Sequence, residues 1–229
     1  MSLAAALEAA LRAPPEGRDA LVDAAVSALA EASASEIPAG VDARRALLIC
    51  TYNVLTLHSV RGRGASVLSA WHRAAFVRYR IAGLRFTLDE IEHGLLRDNA
   101  RPPYRLVRPF ASGDPRLAWR VPLDPRVHFA LNCGSVSCPP VRVYTGARLD
   151  QQLDAAERSF LGSETRVGDA TRTIATSQLL EFYAADFGGR EGMLRRIERA
   201  FDRAPGALSS YRLRFDRYDF RATIRFASE

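Results

Sequence analysis

A chain of 229 residues, 48% hydrophobic and 25% charged, has the profile of a soluble globular protein and is long enough for one substantial domain. No apolar run reaches the roughly 18–20 residues needed to cross a bilayer, so no membrane partner is expected. All 32 basic side chains are arginine and the net charge is +6, but they are scattered without a dense basic run or aromatic platform. Nucleic acid is therefore not an expected partner, whereas small acidic ligands suit guanidinium forks.

Glu8 precedes the first arginine, Arg12, and no basic stretch leads into an apolar one. Residues 2–35 read as two helices broken at Pro14-Pro15 rather than as a signal peptide, and the cytoplasm is the expected compartment. We divide the chain into an N-terminal helical extension, residues 1–40, and a main domain, residues 41–229. Asp42 stands where an N-cap should, opening a helix from about 43 to 60 that ends at Arg61-Gly62-Arg63-Gly64. Another helix is predicted from about 69 to 80.

Thr87-Leu88-Asp89-Glu90 has the form of a capping box, with Glu90 three residues after the Thr87 cap. The helix it starts, about 88–97, places Leu88, Ile91 and Leu95 on one face. His93 faces away from that stripe and Glu92 lies between the two. After a Pro-rich loop, strands are predicted near 116–121 and 126–132, the second from the alternation in Arg126-Val127-His128-Phe129-Ala130-Leu131-Asn132. A short strand at 141–144, a helix from 147 to 162, a strand at 171–174 and helices at 176–186 and 190–203 follow. Residues 211–226 alternate like a hairpin or a pair of sheet strands. The sum is an α+β fold, helices packed around a small, mainly antiparallel sheet.

Three cysteines argue against a disulfide scaffold, and Cys50 lies in an apolar run. Cys133, in the turn Asn132-Cys133-Gly134-Ser135, is the better nucleophile candidate. A glycine there permits close backbone approach, and N–H groups around Gly134 would meet an oxyanion. A thiol needs a base or a positive charge to become a thiolate, which His93 with Glu92 would supply. His128, Cys133 and Cys138, each separated by four residues, offer a looser set than structural zinc sites use. Metal binding, with His93 as a fourth ligand, is a third reading; no metal or other cofactor is expected. A Cys133–Cys138 redox pair is wider than C-x-x-C. Phe182-Tyr183-x2-Asp186-Phe187-Gly188 reads as a helix end with Gly188 past it. Arg217-Tyr218-Asp219-Phe220 either places Asp219 in a site or, equally well, reads as a turn with its aromatics in the core.

Thr51 to His58 resembles an N-x-Y-N-a-L helix, and Ile81-Ala82-Gly83 an I-G-G turn. Leu88 to Arg97 is similar to L-x-x-I-E-H-x-x-L-R. Asp124-Pro125-Arg126-Val127-His128-Phe129-Ala130-Leu131-Asn132-Cys133-Gly134-Ser135-Val136-Ser137-Cys138-Pro139-Pro140 matches one long hallmark almost residue for residue. All belong to the domain of unknown function 547 family, which the chain resembles over about residues 41–226. The resemblance implies that Asn53, Glu92, His93, Arg97 and Cys133 belong to recurring motifs. It also sets Cys138 aside as nucleophile, because some members carry serine there. The architecture loosely resembles papain-like and transglutaminase-like folds. The expectation is a cysteine-dependent hydrolase or acyl transferase acting on a small peptide or amide, acidic or thiol-containing. Cys133 attacks, His93 shuttles the proton and Glu92 assists. Asn53, Arg97, Arg126, His128, Gly134 and Ser135 line the substrate, the two arginines holding its carboxylate. The alternative is a non-catalytic module that binds a peptide, a thiol ligand or a protein partner.

Overall fold

A computed structural model describes residues 1–61 and 75–227. The expected Gly/Arg loop after Arg61, most of the expected helix from about 69 to 80, and His72 lie outside the described residues.

Three helices build the first wall of the core: α1 (Leu3–Arg12), α2 (Arg18–Glu31) and α3 (Val41–Val60). Leu3, Leu7 and Leu11 of α1, Val22 and Leu29 of α2, and Ile49, Val54 and Leu55 of α3 are buried in one continuous cluster. Residues 1–40 therefore share the core of the rest of the chain. Helix α3 begins one residue before Asp42, on Gly40, and Asp42 instead pairs with Arg45 at 3.3 Å.

A short antiparallel hairpin follows, β1 (Tyr79–Ile81) with β2 (Leu84–Phe86). Residues 79 and 80 are thus strand rather than the end of a helix. The capping box forms as read: the Glu90 carboxylate accepts the Thr87 amide at 2.9 Å, and Thr87 Oγ1 accepts the Glu90 amide at 3.1 Å. The helix it opens becomes a π-helix over Glu90–Leu96. Its last turns close with bonds five residues long, Arg97 N–H to Glu92 O at 2.9 Å and Asn99 N–H to Gly94 O at 3.1 Å. Such turns are uncommon and recur at functional sites. Gly94 is required here, because a Cβ would lie 2.2 Å from the Phe110 ring.

The strands expected at 116–121 and 126–132 are a correction: the chain forms 3-10 turns at Pro115–Trp119 and Pro125–Phe129 instead. The reason is a repeated Asp-Pro-Arg. Asp114 and Asp124 cap the amides of Arg116 and Arg126 at 2.9 and 3.0 Å, and both prolines stand at a helix start, where their missing N–H costs nothing. The same carboxylates hold the guanidinium of their own arginine at 2.8 Å. Local capping outweighs the alternation of apolar residues.

Helix α4 (Leu149–Glu164) leads to a three-stranded sheet: β3 (Arg166–Gly168) antiparallel to β4 (Thr173–Ser177), which pairs in parallel with β5 (Arg212–Asp216). Between β4 and β5 lie a single-turn α5 (Leu179–Phe182) and α6 (Gly189–Ala200). Two of the three strand pairs are antiparallel and the class is α+β. Residues 141–144 form no strand; Val141 makes one bridge to Phe226. The chain after β5 also bridges Ser135 with Ala222. The C-terminal segment is thereby laid along the loop that carries Cys133. No helix among the described residues is long and apolar enough to cross a membrane.

Candidate functional site

The Cys133 loop is fixed from two sides. Asn53, wholly buried on α3, donates to Ala130 O at 3.0 Å and accepts the Asn132 amide at 3.0 Å. It fits the backbone rather than a substrate. The Asn132 side chain accepts the Gly134 amide at 2.8 Å and donates to Pro139 O at 2.7 Å. Gly134, at φ 83°, makes the left-handed turn that only glycine adopts readily. On the other side, Val136 N–H bonds Arg221 O and Thr223 N–H bonds Gly134 O. In this antiparallel pairing the amide of Ser135, between them, points away from the C-terminal segment.

Gly134 N–H is thus engaged by Asn132 and does not face an oxyanion. The amide next to it, Ser135 N–H, turns toward the Cys138 sulfur, and that hydrogen bond works against the upward push of burial on Cys138.

Cys133 is half-buried, whereas Cys138 and Cys50 are buried. The Cys133 thiol reaches Ser135 Oγ at 3.3 Å and Tyr218 Oη at 3.7 Å, and its own amide donates to Cys138 Sγ at 3.0 Å. Cys138 Sγ lies 3.1 Å from the same Tyr218 hydroxyl. Hydrogen bonding from Cys138, and from Ser135 and Tyr218, holds the Cys133 thiol below its ordinary pKa against burial and the charge of Glu92. Burial pushes Cys138 the opposite way. The two thiols are therefore unequal, and Cys133 ionises more readily than Cys138.

The second half of the site is a buried polar network. Arg97 grips Asp186 through Nε at 2.6 Å and Nη2 at 2.9 Å, and its Nη1 donates to His93 Nδ1 at 2.9 Å and to Arg101 O at 3.1 Å. A guanidinium only donates, so His93 Nδ1 accepts and neutral His93 carries its proton on Nε2. That proton points at Tyr104 Oη, 3.2 Å away. His128 Nε2 donates to Asp186 at 2.8 Å, and its ring stacks on Tyr183 with centroids 3.8 Å apart. Tyr183 donates to Glu92 Oε1 at 2.5 Å.

The expectation that His93 turns from the apolar stripe holds, yet His93 is only 1% exposed. The Pro-rich loop bearing Tyr104 and the segment bearing Tyr183 and Asp186 cover that face of the π-helix, so a surface residue becomes an interior one. Burial pushes the His93 pKa down to about 4 and lowers that of His128, so both rings are neutral near pH 7. Burial raises Asp186 and Glu92, but the hydrogen bonds and positive charges around them win, and both remain carboxylates.

The two halves meet at Tyr52 of α3, a buried ring whose hydroxyl feels the charges of both Glu92 and Cys133. Direct bonding between Cys133 and His93 is not part of the arrangement: the ring nitrogens contact Arg97 and Tyr104, and the thiol contacts Ser135 and Tyr218. The two arginines expected to take a substrate carboxylate are engaged internally. Arg97 is committed to Asp186, and Arg126 to Asp124, Asp150 and Asp154 at 2.8, 2.8 and 2.6 Å. His128 points at Asp186, apart from the cysteines, and no group of three His, Cys, Asp or Glu side chains among the described residues is arranged to hold a metal ion. The zinc reading of His128, Cys133 and Cys138 fails on this geometry.

Tyr52, Tyr104, Tyr183, Asp186 and Tyr218 were not singled out as site residues by the sequence. Asp219, which was, is half-buried and pairs with Arg221 at 2.5 Å while its neighbour Tyr218 turns to the thiols.

No curated protein and no solved structure matches the chain. A family model described as "Protein of unknown function, DUF547" matches residues 40–161, more than half of the sequence, and includes Asn53, Glu92, His93, Arg97 and Cys133. Tyr183, Asp186 and Tyr218, which complete the site, lie beyond the matched segment. On that match the chain belongs to the domain of unknown function 547 family.

Proposed function

We propose that the protein is a cysteine-dependent hydrolase or acyl transferase acting on a small peptide or amide, with Cys133 as nucleophile. The observation that carries this reading is the asymmetry of the thiols. Cys133 is half-exposed and held below the ordinary thiol pKa by Cys138, Ser135 and Tyr218, while Cys138 and Cys50 are buried and their pKa values are raised. A preformed thiolate attacks a carbonyl without first losing a proton to a base.

In this scheme the Cys133 thiolate adds to the substrate carbonyl carbon, and the oxygen takes up negative charge toward the Ser135 and Tyr218 hydroxyls. Collapse expels the amine, which takes the Nε2 proton of the imidazolium that His93 becomes once Nδ1 leaves Arg97 and takes up a proton. Water or a second acceptor then attacks the thioester and returns a proton to His93. Tyr104, on a loop surface and half-exposed, must leave Nε2 for this to happen. Glu92, 3.8 Å from His93 Nδ1, stabilises the imidazole as it charges. A cytoplasmic setting, which keeps thiols reduced, suits such a nucleophile.

The test uses p-nitrophenyl acetate on wild type, Cys133→Ser, Cys138→Ser and His93→Gln. Expected are a burst of nitrophenolate, an acetyl adduct on Cys133 by mass spectrometry, and turnover that His93→Gln slows about 100-fold or more. No adduct on Cys133, or an adduct that His93→Gln releases as fast as wild type, sinks this reading. One observation favours a non-catalytic ligand-binding module instead: both ring nitrogens of His93 already have partners. A stable Cys133 adduct without turnover in any variant would point there.

A further inference from the structure

Outside the Cys133 region, α6 and the loop after it enclose a cavity of about 300 Å³. Arg195, Arg196, Arg199 and Arg203 line it together with Phe187. The volume is at the lower end of what small-molecule sites use.

The charges in this cavity are unevenly compensated. Glu198 lines it but is buried, and its carboxylate accepts the amides of Gly206 at 3.0 Å and Leu208 at 2.9 Å. It fixes the loop carrying Arg203. Glu157 holds Arg196 at 2.6 Å and reaches Arg199 only at 3.9 Å. Arg195 and Arg203 pair with Glu191 at 3.7 Å and Asp169 at 2.8 Å, both at the exposed surface, where such pairs are worth little and exchange readily. Complementing the helix dipole accounts for Arg199, in the last turn of α6, but not for Arg195 or Arg203 on either side of it.

We propose that this cavity binds a small organic polyanion, a compound with two or more carboxylate or phosphate groups. Guanidinium forks take such oxyanions in bidentate fashion; Arg195 and Arg203 can leave exposed surface partners to do so, and Arg199 is held only at 3.9 Å. The site is distinct from the Cys133 chemistry but touches its framework. Arg196 lies over the Phe187 ring at 5.5 Å, and that ring packs edge-on against His128 at 5.4 Å.

The experiment is calorimetric titration of the full chain at low ionic strength with pyrophosphate, citrate and acetate. Saturable binding of pyrophosphate or citrate, at least tenfold tighter than acetate, is the expected result, and which of the two binds tighter assigns phosphate or carboxylate chemistry. Arg199→Ala and Arg203→Ala each should weaken it about tenfold and the double variant about 100-fold, while Arg80→Ala, on exposed β1, leaves it unchanged. Arg199→Gln repeats the test should the alanine variant lose its cooperative thermal transition. Absence of saturable binding by both polyanions overturns the proposal. So does an equal loss in Arg80→Ala, which would reduce the effect to net charge.

Discussion

Asp186 carries Arg97 on both oxygens, at 2.6 and 2.9 Å, and takes His128 Nε2–H on one of them at 2.8 Å. One carboxylate thus joins the π-helix, the turn before the Cys133 loop and the segment between α5 and α6. These groups are buried, so the pair was expensive to desolvate and its value lies in geometry more than in net stability.

Removing one partner leaves an uncompensated buried charge. Asp186→Leu and Arg97→Leu should each lower unfolding free energy by about 3–5 kcal/mol, whereas the double variant should lose clearly less than their sum. Urea denaturation of all four proteins measures this, and additive losses would show that Asp186 and Arg97 do not act as a unit.

Taken alone, His93 makes stability rise with pH between about 4 and 6.5, while Asp89, whose pKa is raised, opposes that slope over the same range. His93 has a folded pKa near 4 and an unfolded one near 6.5, so within this window the unfolded chain binds the extra proton and is favoured as pH falls. His128, also lowered, adds to the slope. The contribution of His93 is on the order of 3 kcal/mol, fully present above pH 6.5 and lost progressively toward pH 4. His93→Gln should flatten that part of the curve; an unchanged slope would mean that His93 is not held neutral.

Much of this frame could be read in the sequence because its causes are local. The Thr87/Glu90 box, the break at Pro14-Pro15 and the candidates Cys133, His93 and Glu92 lie within single short segments. The 3-10 turns were missed although their cause is also local: two Asp-Pro-Arg caps were outvoted by apolar alternation. The π-helix was not legible, since the Thr87/Glu90 box and the apolar spacing fit an α-helix equally well. The tyrosines were missed for another reason. Tyr183 meets Glu92 across 91 positions and Tyr218 meets Cys133 across 85, and the segments holding them were read only as a helix end and a turn.

Asp89 is a buried carboxyl beside Tyr104 whose pKa burial pushes up to about 6, against the help of Tyr104 and Arg105. Its folded pKa lies above the unfolded value of about 3.9, so the ionised form opposes folding, a penalty absent near pH 3 and complete above pH 6. Asp89→Asn should therefore be more stable than wild type at pH 7 by on the order of 2 kcal/mol, with the gap closing by pH 3 to 4. Thermal melts at the two pH values decide it, and a gap of equal size at both would assign the effect to something other than titration.

The reactivity of Cys133 provides the sharpest separation between its neighbours. Alkylation by iodoacetamide, followed residue by residue with mass spectrometry, should modify Cys133 and leave Cys50 and Cys138 largely untouched in the folded protein. The apparent pKa should lie below the ordinary thiol value of about 8.5. Tyr218→Phe and Ser135→Ala each remove a hydrogen bond to the thiolate and should raise that pKa by about one unit. Glu92→Gln removes a negative charge that disfavours the thiolate and should lower it. His93→Gln should leave it nearly unchanged, because the ring is neutral and bonded elsewhere, while still slowing any acyl turnover. A His93→Gln variant whose Cys133 reverts to an ordinary thiol would instead mean that the imidazole reaches the sulfur in solution, and the thiolate would then owe its existence to a Cys–His pair rather than to Ser135 and Tyr218.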